Sequence, residues 1–318
     1  MGFSRMKKYI NGEVMKVSKQ VVYMFFMSIL CIASVSFYSD LTSQEPQRIN
    51  IVEEPITHDL KGALVFDLGG VLLKTDRSAA MDFLGKGFIA HYIWSHRQQP
   101  TSMLPLLYEI LNDGVDEPNK TLKDPYGNVL PHLFAQVLKG KLTEQECLVT
   151  AHKIIYDEKN LTRFHKDESV ARNSRTIASR LAQILFEPEV FVKTQRTHPQ
   201  GEKLLRACQR SSKCEILIFS NFSEQAFKKV QEKYPNLFTG IKDENIIVSG
   251  KVGHAKPDPE MYQILLNRLS DLGIEPDQTY FIDDQEENTE SATLLGIKGI
   301  HCKDPSKAHK LLKRQGII

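Results

Sequence analysis

The chain has 318 residues, 41% of them hydrophobic, and carries 41 Lys and Arg against 39 Asp and Glu, for a formal net charge of +2. That length and apolar content can bury a large core and point to one main domain with an insertion. A balance so near neutral, with no basic stripe interleaved with aromatics, argues against a nucleic-acid partner, and five cysteines without a Cys-x-x-Cys pair make no disulfide scaffold.

In chain order, residues 1–39 are a basic leader and a hydrophobic run. Arg5, Lys7, Lys8, Lys16 and Lys19 precede residues 21–39, which carry no charge. A run of that length, at about 1.5 Å per residue, just crosses a bilayer core. The segment is expected to be a membrane anchor with the remainder facing outward, or a secretory signal with Ser34 and Ser36 placed for cleavage before Phe37. Either use makes the protein membrane-anchored or exported; a buried soluble helix is the alternative and would leave it cytoplasmic. Residues 40–60 are polar, contain Pro46 and Pro55, and suit a linker.

Residues 63–66, 215–219 and 279–282 are short apolar runs that suit buried parallel strands. Each ends in polar chemistry: Asp67, then Ser220-Asn221, then Asp283-Asp284. Ligands gather outside the carboxyl ends of such strands, so these residues are expected around one crevice. Lys256 precedes Pro257 and Pro259, which stiffen a turn before the amphipathic helix beginning at Met261 and can hold an ammonium over the same edge. The stretch between Asp67 and Ser220 is far longer than one crossover needs. Within it, residues 77–194 read as mostly helical, with segments at 79–94, 102–111, 130–138, a Thr143 capping box with Glu146 leading to Tyr156, and 168–186. Residues 113–128, rich in Pro, Gly, Asp and Asn, form a candidate substrate-contact loop. His91, Trp94, His96 and Arg97 read first as ordinary helix residues, with substrate contact as the alternative.

Three carboxylates converging with one lysine make a hard-cation site, since Mg²⁺ favours oxygen ligands and keeps positions open for substrate phosphate. Asp67 could then attack phosphorus and form an aspartyl-phosphate that water hydrolyses. Ser220 and Asn221 supply donors to phosphoryl oxygens, and Lys256 neutralises charge on the phosphate and on Asp67. Taken singly, Asp67 reads as a turn or helix cap, Ser220-Asn221 as a helix start, and Lys256 and Asp283-Asp284 as solvated polar groups. The joint pattern carries the chemical reading. Asn288 reads equally as support to the metal or as helix surface.

In order, spacing and chemistry these four segments resemble the haloacid dehalogenase-like (HAD) hydrolase superfamily, in its phosphatase branch with a helical cap inserted after the first motif. The resemblance spans roughly residues 61–302, with Asp67 matching the nucleophile, Ser220 the second motif, Lys256 the third and Asp283/Asp284 the acidic fourth. Residues 283–297 look like the family's final strand and helix. The resemblance implies a three-layer Rossmann-like α/β core with a parallel sheet, formed by 61–76 and 195–318, plus a helical cap of 77–194, preceded by the N-terminal hydrophobic segment. It also implies Mg²⁺ held by Asp67, the Gly69 carbonyl and Asp284, with Asp283 assisting directly or through water. The implied substrate is a small phosphorylated metabolite such as a sugar phosphate.

One position departs from the pattern. Most phosphatases of the family carry a general acid/base Asp two residues after the nucleophile, where this chain has Gly69. Three readings follow: a phosphatase using water or another residue such as Asp76 at the cap hinge, a slow enzyme for good leaving groups such as anomeric or acyl phosphates, or a membrane-tethered phosphate-binding or regulatory protein without turnover. Family dehalogenases use no metal, and Asp283-Asp284 looks built for a cation.

Overall fold

Alternate residues along the central strands face opposite ways, and that alternation divides the sheet's core into two halves. The computed structural model describes residues 62–98, 102–113, 115–124, 127–211 and 213–318. The leader, the hydrophobic run of 21–39 and the linker of 40–60 lie outside the described residues, as does Cys31. Among the described residues no helix is long and apolar enough to cross a membrane, and Cys147, Cys208, Cys214 and Cys302 are free thiols.

The described residues form strands β1 (Gly62–Phe66), β2 (Leu73–Thr75), β3 (Gln195–Thr197), β4 (Cys214–Ser220), β5 (Ile246–Val248), β6 (Thr279–Asp283) and β7 (Lys298–His301). Five of them build one parallel sheet in the order β5-β4-β1-β6-β7. Leu64, Phe66, Ile218, Tyr280 and Ile282 face one apolar cluster with Leu204, Leu205, Phe227, Val230 and Leu312. Ala63, Val65, Leu217, Phe219 and Phe281 face the other, with Met261, Tyr262, Leu265 and Ala292. Helices Pro199–Ser211, Glu224–Lys233 and Pro305–Arg314 therefore cover one face, and Pro259–Asp271 and Glu286–Leu294 the other. This is why β1 and β6 read as unbroken buried runs: a parallel sheet between two helix layers has no wet face. The three layers agree with the α/β class expected from the sequence.

After β1 the chain passes through β2, and it returns through β3, antiparallel to β2 with Thr75 opposite Gln195. Strands of three residues are too short for a period-2 pattern to reveal them. Between the two lie helices that share a cluster of their own, including Met81, Leu107, Ile177 and Phe186, which Ala255 joins from beside Lys256. The expected capping box is present, with Glu146 N donating to Thr143 Oγ1 at 3.2 Å and Thr143 N donating to Glu146 Oε2 at 2.9 Å. The single helix expected over 79–94 is instead two, Arg77–Leu84 and Lys86–His96, parted at Gly85 with φ +85°. Apolar periodicity runs across this joint, so the pattern alone did not show it. Beyond residues 283–297, β7 and helix Pro305–Arg314 extend the sheet and its covering layer.

Candidate functional site

β1, β4 and β6 end side by side, and the residue that follows or closes each is polar. Asp67 N donates to Ile282 O at 2.9 Å, which fixes the first residue after β1 against β6. The Asp67 carboxylate is buried, and its Oδ1 accepts from Ser220 Oγ at 2.6 Å. Lys256 Nζ lies 3.1 Å from that same oxygen, 2.6 Å from Asp283 Oδ2 and 2.9 Å from Phe219 O. Its three hydrogens thus have three acceptors, and the ammonium lies over the Phe219 and Phe281 rings.

The backbone of Lys256 is held as firmly as its ammonium. Asn221 Oδ1 accepts from Lys256 N at 2.8 Å, and Asn221 Nδ2 donates to Lys256 O at 2.8 Å. The sequence reading gave this amide to the phosphate; the structure turns it onto the lysine. Asp283 is fully buried, accepts from Gln285 N at 2.8 Å, and has Asn288 Nδ2 3.1 Å from both its oxygens. Tyr262 OH donates to Asn288 O at 2.7 Å and so holds the helix carrying that amide. Asp284 is only partly buried and packs on Gly70, where φ is +67° and a Cβ would overlap the Asp284 carboxylate. Gly70 belongs to the first of the four segments, and its close approach to Asp284 was not legible there.

Electrostatically, three carboxylates face one ammonium. Burial pushes Asp67 up to about 6, and the neighbouring Asp283 charge adds to this while Lys256 and Ser220 oppose it. Asp284 is raised well above the usual carboxylate range by burial and then by Asp283 and Asp67. Burial alone would lower Lys256, but Asp283 and Asp67 outweigh it and hold the ammonium protonated. Oxygens of Asp67, Asp283 and Asp284 all lie within 4.8 Å of one another. Asn288 Oδ1, on the amide that contacts Asp283, is buried with no partner. A hard divalent cation fits this donor set: it would balance the excess negative charge, and its bound water could reach an orphaned acceptor.

Asp67, Ser220, Lys256, Asp283 and Asp284 are therefore together. A Cβ at Gly69 would meet only Asp67 Oδ2, at 3.9 Å, so that side of the nucleophile candidate is open. Asp76 is engaged elsewhere, its Oδ1 accepting from Ser78 N and Ala79 N as a helix cap. His96 stacks on Tyr92, with Nε2 3.3 Å from Phe164 O inside the helical layer, and Trp94 is 79% exposed. Thr121, Lys123 and Lys139 bridge to the sheet edge. Lys139 pairs with Asp258 at 2.6 Å, Thr121 Oγ1 donates to Asp258 Oδ1 at 3.4 Å, and Lys123 pairs with Glu287. Nothing in the sequence signalled these contacts. A cleft of about 450 Å³ between residues 116–121 and 132–141 is lined by none of the five converged residues.

Residues 61–296 match the family of haloacid dehalogenase-like hydrolases. Similar solved structures include a HAD family enzyme of Bacteroides thetaiotaomicron, in complex with magnesium and inorganic phosphate, at 21% identity over 76% of this chain and 93% of that one, TM-score 0.43. A predicted HAD-like hydrolase of Porphyromonas gingivalis matches at 18% identity over 80% and 98%, TM-score 0.42. The L-2-haloacid dehalogenase of Xanthobacter autotrophicus matches at 14% over 80% and 83%, TM-score 0.41.

Proposed function

The chain belongs to the haloacid dehalogenase-like hydrolase family, and from that premise we propose that it hydrolyses phosphate esters of small metabolites, such as sugar phosphates, through an aspartyl-phosphate on Asp67 with Mg²⁺ as cofactor. The observation that supports this reading is the buried Lys256 ammonium between Asp67 and Asp283, beside the more open Asp284. Ser220 and Lys256 both engage Oδ1 of Asp67, which leaves Oδ2 as the attacking atom. Oδ2 bonds to phosphorus as the ester oxygen leaves, and water then cleaves the acyl phosphate and restores the carboxylate. Ser220 and Lys256 stabilise negative charge as it moves onto the phosphoryl oxygens.

Asp67, the Gly69 carbonyl and Asp284 would hold the metal, with Asp283 assisting. When bound, Mg²⁺ supplies positive charge that offsets repulsion between these acids and a phosphate dianion. Gly69 offers no proton to the leaving group, and Asp76 is engaged as a helix cap. Protonation is then left to water, and substrates with good leaving groups, such as anomeric or acyl phosphates, turn over fastest. Residues 77–194 act as a cap over the crevice of a core formed by 61–76 and 195–318, excluding water from the reaction.

The missing acid also favours one alternative, a protein that binds phosphate without turnover. Phosphate release by the purified chain, with Mg²⁺ and with chelator, across sugar phosphates, acyl phosphates and an activated aryl phosphate, separates the two. Metal-dependent turnover that disappears in a folded Asp67→Asn variant is expected. Undiminished turnover in that variant would overturn the nucleophile, and silence on every substrate with phosphate binding intact would favour the binder.

A further inference from the structure

Helices Pro199–Ser211 and Pro305–Arg314 pack together on one face of the sheet, away from the chemistry at its carboxyl edge. With Lys213, they carry eight Lys and Arg against one carboxylate, Glu202, which is already paired with Arg206 at 2.6 Å. The whole chain has a net charge of only +2, so the remainder is net acidic. Leu204, Leu205, Cys208, Ala308 and Leu312 turn inward, and Lys203, Arg210, Lys213, Lys310, Lys313 and Arg314 are exposed. These charges act on one another's surroundings: His309 is lowered by burial and then by Lys203, Lys313 and Arg210 together.

Helix dipoles account for part of this pattern. Arg210, Lys313 and Arg314 sit in last turns, where cations are favourable. Lys307 sits in a first turn, where a cation opposes the dipole but the N-cap carboxylate of Asp304 attracts it, and Lys203 and Lys310 lie between the ends. An ordinary solvated surface would interleave acids here.

The position of this face says what covers it. Ser211 Oγ donates to Ile317 O at 2.8 Å and Lys213 Nζ to Gly316 O at 2.9 Å, which ties the ends of both helices together beside the start of β4. Gly62 pairs in register with Cys214, so the chain arrives from residues 1–61 at this same amino edge. That preceding stretch contains the uncharged run of 21–39.

We propose that the basic face of this helix pair, with Lys213, docks on an anionic lipid bilayer, beside the point where the chain enters from its hydrophobic run. Where the uncharged run enters a bilayer it tethers the adjoining face near the lipid, and exposed cations there are drawn to anionic headgroups.

Lysine acylation followed by mass spectrometry, on the full chain with vesicles of phosphatidylcholine alone or mixed with phosphatidylglycerol, tests this. Lys213, Lys310 and Lys313 are expected to react at least about threefold more slowly on the anionic vesicles. The difference should vanish at about 0.5 M salt, where surface charge is screened within a few ångströms, and, read at Lys213 and Lys310, in the triple variant Arg210→Glu, Lys313→Glu, Arg314→Glu. Exposed Lys86 and Lys166, in the helical layer, should not change. Equal rates on both vesicle types, protection that survives in the charge-reversed variant, or stronger protection of the same lysines by duplex DNA would each overturn the proposal.

Discussion

A buried ammonium is costly unless every hydrogen has an acceptor, and at Lys256 the acceptors are Phe219 O, Asp283 and Asp67. Its place among them depends on its backbone, which Asn221 holds at both the N–H and the carbonyl. Two hydrogen bonds at about 1 kcal/mol each put the expected loss of kcat/KM in Asn221→Ala at about tenfold or more. If Asn221 acts through Lys256, the same substitution made in Lys256→Ala costs little further, whereas a residue that itself bound the phosphate would give additive losses in that double-mutant cycle. Gly69 makes the opposite kind of prediction. Its φ is ordinary and a Cβ there has room, so Gly69→Asp is expected to fold and to raise turnover of alkyl phosphates by about a hundredfold, the lower end of general acid/base help. Little gain is expected for acyl phosphates, and comparing the two substrate classes is the check. The identities of Asp67, Ser220, Lys256, Asp283 and Asp284 as a set were legible in sequence because each ends or follows a recognisable element. The orientation of Asn221 was not, since its amide choice is set by a backbone far along the chain.

Between elements, the contacts that matter most join the inserted residues to the chain just beyond Lys256 and just beyond Asp284. Asp258 lies two residues beyond Lys256 and takes both Lys139 and Thr121; Glu287 lies just beyond Asp284 and takes Lys123. Partly exposed ion pairs are each worth up to about 1 kcal/mol. The double variant Lys123→Ala, Lys139→Ala is expected to speed amide exchange across residues 116–141 and to raise KM severalfold with a smaller change in kcat. Unchanged exchange would show that these pairs do not hold the layer down. Elements with strong local signals were legible: the Thr143 capping box, helix Glu168–Phe186 and the apolar strands all stand where local chemistry puts them. The break at Gly85 and the pairing of β2 with β3 were not, because one is a single backbone angle and the other joins residues more than a hundred positions apart.

Across the whole molecule, the order β5-β4-β1-β6-β7 places β1 at the centre, so Asp67 is flanked by the strands that bring Ser220 on one side and Asp283 on the other. The same topology separates uses of charge: an acidic cluster with one lysine at the carboxyl edge, and a surplus of cations on the helix pair that reaches the amino edge. By itself the sequence determined the α/β class, the strands that end in chemistry and the kind of chemistry available, because those depend on residue type and on periods within a few neighbours. Only the tertiary structure decided which asparagine holds the lysine and which holds Asp283, that Asp76 caps a helix, and that the cations of residues 199–213 and 305–314 share one face. Hydrogen-bond geometry and the summing of charge depend on distance in space, and separation along the chain does not reveal it.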